Sequence, residues 1–228
     1  MLKGLLSGNV GFIDAIIYIL SSLAVVFITM PVHEFAHGFA AEKLGDKTPR
    51  WQGRLTLNPF AHIDWMGAAC IILFGFGWAK PVEVNANGFR NPKRDMAIVA
   101  LAGPLSNIIV ALISMLVYNL LIIIPLTSLF LNQIIFYIAI FFYFIAIINV
   151  SLAVFNLIPI PPLDGSRLLT ALLPYKYYNL LMRYEQYIFI GLIAMLWFGV
   201  LDAPLDFLSD AVMGFVEFIA GLPFKIFR

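Results

Sequence analysis

The chain has 228 residues, 62% of them hydrophobic and only 12% charged, with a mean hydropathy of +0.94 and a net charge of +1. That balance belongs to a membrane protein and leaves no basic surface for nucleic acid. The single cysteine, Cys70, excludes an internal disulfide and a cysteine-rich zinc knuckle, and reads as a small buried hydrophobe.

A bilayer crossing needs about 20 apolar residues. The first run of that length is Phe12 to Leu44; it lacks a small-residue cleavage site, so it reads as a span and not as a cleavable signal. After the polar stretch "GDKTPRWQGRLTLNPFAHIDW" comes a short, glycine-rich apolar piece, Gly67 to Ala79, expected to be re-entrant. "KPVEVNANGFRNPKRD" alternates Val82 and Val84 before an Asn-Gly pair, the pattern of a hairpin. Two further spans are predicted at about Met96 to Ile124 and Ile134 to Ile158, followed by "PIPPLDG", a short amphipathic piece, and apolar runs at Tyr187 to Leu201 and Ala211 to Leu222. The last has twelve residues, short for a crossing. The expected fold is an all-α polytopic membrane protein of about five to six membrane segments, with a re-entrant or hairpin region between the first two long spans. Residues 1–228 read as one membrane-embedded domain, with no repeat, low-complexity tract or appended soluble module.

Eight of the fourteen lysines and arginines fall between Lys43 and Arg94; Arg167, Lys176 and Arg183 follow the third long span, and Lys225 and Arg228 end the chain. The loop Pro125 to Gln133 has none, and Leu201 to Asp210 has none but carries three aspartates. The positive-inside rule then puts the basic clusters in the cytoplasm and the N-terminus outside, with only Lys3 against it.

Within the first run, "PVHEFAHGFAAEKLGD" places His33 and His37 four residues apart on one helical face, the spacing of two imidazoles on one zinc ion. Glu34, beside the first ligand, is placed to take a proton from a water acidified by that ion. Ionisable groups at membrane depth are costly and usually functional, although a pair of core histidines bonded to carbonyls is the simpler alternative. A catalytic zinc needs a third protein ligand. Lys43 occupies the position of a third histidine six residues on, and Glu42 is turned off the helix face. His62, Asp64, Glu83 and Asp164 remain. Asp164 fits best, because Pro159, Pro161 and Pro162 break the helix just as the third span reaches the cytoplasmic side. His37 and His33 lie roughly 9 and 15 Å before Lys43 along their helix, which matches that depth. The same aspartate is also suited to cap the helix that follows it.

"HEFAH" and "NLIPIPPLDG", with "GRLTLNPFAHIDWMG", "GWAKPVEVN", "FRNPKRDM" and "ALAGPLSN" between them, resemble the site-2 protease family of intramembrane zinc metalloproteases, in its compact prokaryotic branch without an appended regulatory module. The resemblance covers roughly Pro31 to Leu169. It implies one zinc ion held by His33, His37 and Asp164, with Glu34 as general base, and a membrane-spanning protein as substrate, cut near the cytoplasmic side of a prokaryotic plasma membrane. Asn156, which opens the second motif, would stabilise an oxyanion or hold the substrate. Trp65 stands where that branch has proline, which questions the local turn and not the metal site.

Three expectations stay open at this level. His62 is either an oxyanion donor or a structural histidine in the turn begun by Asn58-Pro59. Gly103 and Asn107 in "GPLSN" read as close helix packing more readily than as a substrate contact. Val82 and Val84 could form an edge strand that clamps an unwound substrate. A transporter would show repeated halves and a continuous polar path, neither of which is present in the sequence; an intact Glu34 argues against an inactive scaffold. Nothing in the sequence sets an oligomeric state.

Overall fold

A chain this apolar must satisfy its backbone groups internally, and helices do so segment by segment. In the computed structural model, residues 11–74, 78–124 and 128–227 are described, and among them there is no β-strand. Helix α1 (Phe12–Ala24) runs through a π-helical turn, Val25–Thr29, into α2 (Met30–Leu44). A short α3 (Thr48–Trp51) and a 3-10 turn (Pro59–Ala61) lead to α4 (Trp65–Phe74); a 3-10 turn (Ala86–Gly88) precedes α5 (Pro92–Ile123). Then come α6 (Leu129–Asn156), α7 (Asp164–Leu172), α8 (Tyr175–Arg183), α9 (Glu185–Trp197) and α10 (Asp202–Gly221), with a last 3-10 segment, Leu222–Phe227.

Among the described residues, four helical stretches are long and apolar enough to cross a bilayer: Phe12–Leu44, Pro92–Ile123, Leu129–Asn156 and Asp202–Lys225. At 13 residues, α9 spans about 20 Å, less than the hydrocarbon core. Against five to six expected segments, the described residues hold four full-length apolar helices and the shorter apolar α4 and α9. The last helix differs most from expectation. It has 20 residues and not twelve, because Asp202, Asp206 and Asp210 fall four apart on one exposed face and do not interrupt it. Asp202 and Pro204 sit in its first turn, where an acidic group and a missing N–H are both tolerated.

The π turn rephases the first span. Before it Tyr18, and at its first position Val25, pack on Ile145, Ile148 and Leu152 of α6; Val26 within it and Met30 after it pack on Ile63, Ala68 and Ile71 around α4. Ser21 and Ser22 in the apolar α1 return their hydroxyls to the carbonyls of Ile17 and Tyr18, at 2.8 and 2.9 Å, so neither is left unsatisfied. The re-entrant expectation falls on α4 and on residues 75–77, which lie outside the described residues. The hairpin ladder expected around Val82 and Val84 does not form among the described residues. Residues 78–85 run as a single strap, and the N–H groups of Lys80, Val82 and Asn85 are taken by a loop carbonyl and by two side chains instead of by a second strand.

Helix α5 is the centre of the bundle, packed against α2, α6, α7 and α10. Its seam with α6 and α10 is lined by Ala111, Ala146 and Ala220, all inaccessible, with Met115, Val150, Val154 and Val216 around them. Lipid offers no hydrophobic drive between helices, so small residues that let backbones approach are what make this seam favourable. Ala146→Leu is expected to destabilise the bundle by about 1–3 kcal/mol through overpacking. A lowered thermal midpoint in detergent, with metal content per folded molecule unchanged, is the outcome to look for.

Candidate active site

Helix α2 brings His33, Glu34 and His37 into the protein interior, each less than a tenth exposed. Helix α5 then fixes both rings. His37 Nδ1 lies 2.7 Å from the Val99 carbonyl; that oxygen can only accept, so Nδ1 carries the proton and Nε2 presents a lone pair. His33 Nδ1–H donates likewise to the Asn107 carboxamide oxygen at 3.3 Å. The two Nε2 atoms end 3.1 Å apart.

The third member arrives on α7. Helix α6 stops at Asn156, the proline-rich loop reverses the chain, and α7 starts at Asp164. Gly165 makes that reversal possible: a Cβ there would lie 2.3 Å from the Leu157 carbonyl oxygen and 2.4 Å from that of Ile158. Asp164 Oδ2 sits 3.2 Å from His33 Nε2 and 3.1 Å from His37 Nε2. The cap alternative for this aspartate is not the geometry found; its oxygen faces the imidazoles.

Three acceptor atoms in mutual contact need a positive charge among them. His33, His37 and Asp164 are the cluster of the described residues whose donor atoms could hold a metal ion. A tetrahedral zinc with bonds of about 2.0 Å keeps its ligand atoms about 3.3 Å apart, close to what this triangle provides. Nitrogen, nitrogen and carboxylate oxygen also suit zinc chemically. The other candidate ligands are engaged elsewhere: Glu42 pairs with Arg50, Asp64 Oδ1 accepts the Gly67 N–H at the start of α4, and Glu83 accepts from Gln52 Nε2 at 2.6 Å. Trp65, the departure from the family pattern, simply opens α4.

Gly103 and Asn107 pack α5 closely on α2, and what they pack against is the histidine pair. They lie four apart on the face of α5 that meets α2, and a Cβ on Gly103 would stand 2.3 Å from His37 Nε2 and 2.6 Å from His33 Nε2. The glycine leaves room for the imidazoles; the asparagine orients one of them.

A cavity of about 300 Å³ opens beside this triangle, lined by Glu34, Asn156 and Val82 among others. Glu34 Oε2 accepts the Val82 N–H at 2.9 Å. Val84 is placed differently, packing with Met96 and Leu44 against Ala41, Phe89 and Val99. His62 is fully buried but does not line the cavity. Its Nε2–H donates to the Thr56 carbonyl at 2.8 Å, and its own carbonyl accepts the Lys80 N–H at 2.8 Å, so it holds a loop and the strap together. Sequence reasoning missed Arg167, which lines the cavity one helical turn after Asp164; that i, i+3 spacing was the available signal. It also missed the aromatic wall made by Trp78 and Phe189, whose rings meet edge to face at 5.8 Å. No local pattern joins residues so far apart.

An all-helical membrane protein with a buried two-histidine, one-carboxylate cluster on an H-E-x-x-H helix has the makings of a metal-dependent hydrolase. The chain belongs to Peptidase family M50, the site-2 proteases, whose model matches residues 21–199. Over 154 residues it is 39% identical to "Putative zinc metalloprotease YwhC" of Bacillus subtilis (strain 168), covering 65% of this chain and 67% of that protein. Over 145 residues it is 30% identical to Rip2 of Mycolicibacterium smegmatis, which carries the same description, covering 60% of this chain and about half (51%) of that one. No solved structure matches. The protein is thus a metalloprotease of an integral-membrane family.

Gly103→Ala tests the close approach directly. Alanine is the better helix former by about 1 kcal/mol, yet its methyl would occupy the ground of both Nε2 atoms. The expected result is loss of bound zinc, read by elemental analysis of purified protein, without loss of helix content.

Proposed function

We propose that this protein is an intramembrane zinc endopeptidase that hydrolyses peptide bonds of membrane-spanning proteins near the cytoplasmic face, using one zinc ion on His33, His37 and Asp164. The observation that carries the reading is the triangle of three acceptor atoms at 3.1–3.2 Å, assembled from α2 and α7 and fixed from behind by Val99 and Asn107 of α5. When bound, zinc would supply Lewis acidity, lowering the pKa of a water towards about 7 and polarising the scissile carbonyl.

The chain's own residues do the rest. Glu34, beside the first histidine and open to the cavity, takes a proton from the attacking water and returns it to the leaving amide nitrogen. Asn156, at the end of α6 and in the cavity wall, donates to the developing oxyanion. The apolar wall, with Met30, Leu152, Phe155 and Leu163, suits a hydrophobic transmembrane segment and excludes bulk water. A helical substrate hides its backbone, so it unwinds locally and lies along the strap at residues 78–85, with the Val82 side chain against it and Val84 anchoring the far end. The lysine and arginine distribution supports the N-terminus outside and the site towards the cytoplasm of a prokaryotic plasma membrane.

Zinc content and cleavage of a membrane-spanning test substrate, measured together in wild type, Glu34→Ala and Asp164→Ala, decide the matter. Glu34→Ala should keep its zinc and lose about 10²–10⁴-fold in rate, while Asp164→Ala should lose the metal. A wild type without zinc, or a Glu34→Ala protein that cleaves normally, would sink the proposal. The clamp has its own check. Val82→Ala retains the backbone N–H but trims the wall, so KM should rise with kcat little changed; unchanged KM removes the clamp.

A further inference from the structure

The motif that supplies His33, Glu34 and His37 ends in "LGD", and Asp46 has no part in the chemistry described so far. It is nonetheless only 2% exposed. Its position is set by the way α2 stops. Gly45 takes φ 115°, its N–H returns to the Glu42 carbonyl at 3.1 Å, and the Asp46 N–H returns to the Ala41 carbonyl at 3.0 Å. This paired closure needs the left-handed glycine and leaves the next side chain in one place. Both carboxylate oxygens are then used: Oδ1 accepts the Thr48 N–H at 2.9 Å, and Oδ2 accepts the Asn85 N–H at 2.7 Å.

Asn85 ends the strap whose middle reaches the base. Along residues 80–85 three backbone N–H groups are tied inward: Lys80 to the His62 carbonyl at 2.8 Å, Val82 to Glu34 Oε2 at 2.9 Å, and Asn85 to Asp46. In an extended chain residues 80 and 82 present their N–H groups on the same edge, so residues 80–82 of the strap turn that edge to the protein. Only the middle tie touches a reacting group. The outer two decide where it falls. Asp46 follows directly on the cap of the helix that carries Glu34, so the end of that helix also holds the end of the strap.

We propose that Asp46 is a positioning residue for Glu34: by fastening Asn85 to the end of α2, it fixes the Val82 N–H against the Glu34 carboxylate. The inference rests on the protease reading of Glu34. Asp46 touches neither the metal cluster nor the cavity, so its loss should spare zinc and weaken the proton transfer.

The test uses Asp46→Ala, Asn85→Pro, which removes the N–H from the other side of the same bond, and the double variant in the full chain. Zinc content, amide exchange of the peptide covering residues 78–85, and kcat and KM on the test substrate are measured for each. The expected result is wild-type zinc, faster exchange in the strap, and a kcat lowered about ten- to a hundredfold with KM within about twofold. The double variant should be no worse than the poorer single one, because both break one bond. Asp46→Asn, which keeps one acceptor oxygen, should fall between wild type and Asp46→Ala, and serves where the alanine variant does not fold. Additive losses, a kcat within about twofold of wild type, a loss confined to KM, or loss of zinc in the variants that still insert would each overturn the proposal. If wild type binds zinc but cleaves nothing, the protease reading falls; unchanged strap exchange in Asp46→Ala would then still refute the tie.

Discussion

Two imidazole lone pairs and a carboxylate oxygen, packed 3.1–3.2 Å apart inside an apolar bundle, set the terms for the rest of the structure. Without positive charge among them they repel, and in a low-dielectric interior that repulsion is weakly screened. Each supporting feature either forces these atoms together or makes room for them. The Val99 carbonyl and the Asn107 amide hold the rings from the far side. Gly103 removes the one methyl that would stand between α5 and the imidazoles, and Gly165 lets α7 seat against the end of α6 so that Asp164 arrives at all. Outer partners of this kind orient ligands and raise their basicity.

Above the site, the first span satisfies its serines locally, by hydrogen bonds to carbonyls four residues back. The π turn then changes which neighbour each face meets, from α6 to the region around α4. Such turns are frequent at functional sites because one inserted residue redirects a helix face without ending the helix. Here it lets one continuous span serve first as packing and then as the scaffold of the cluster.

The helical class, the first three long spans and the H-E-x-x-H pair were legible in the sequence because each depends on local period or composition. Asp164 could be ranked above Asp64 and Glu83 because three prolines mark a break at matching depth, and the structure brings its oxygen to both histidines. What failed was non-local. The hairpin pattern at Val82 and Val84 was real in its alternation, but the strap's N–H groups found His62, Glu34 and Asp46 before they could find a second strand. His62 carries a signature that reads equally as chemistry or as a turn, and only its distance from the cavity separates the two. For Gly103 the helical spacing was visible, but its reason lay on another helix. The last helix was cut short on paper by aspartates that sit on its exposed face.

These supports also bear on how the metal and the fold depend on one another. In a small zinc domain the ligands are loose until the ion gathers them, so metal binding and folding are one event. Here α5 orients both rings through groups that contain no metal, and the loop after α6 delivers Asp164 through backbone packing. The apolar seam of α5, α6 and α10 lies apart from the cluster. The bundle therefore sets where the three donor atoms lie. Glu34, the proposed base, is tied separately, through the Val82 N–H of the strap, beside the same cluster.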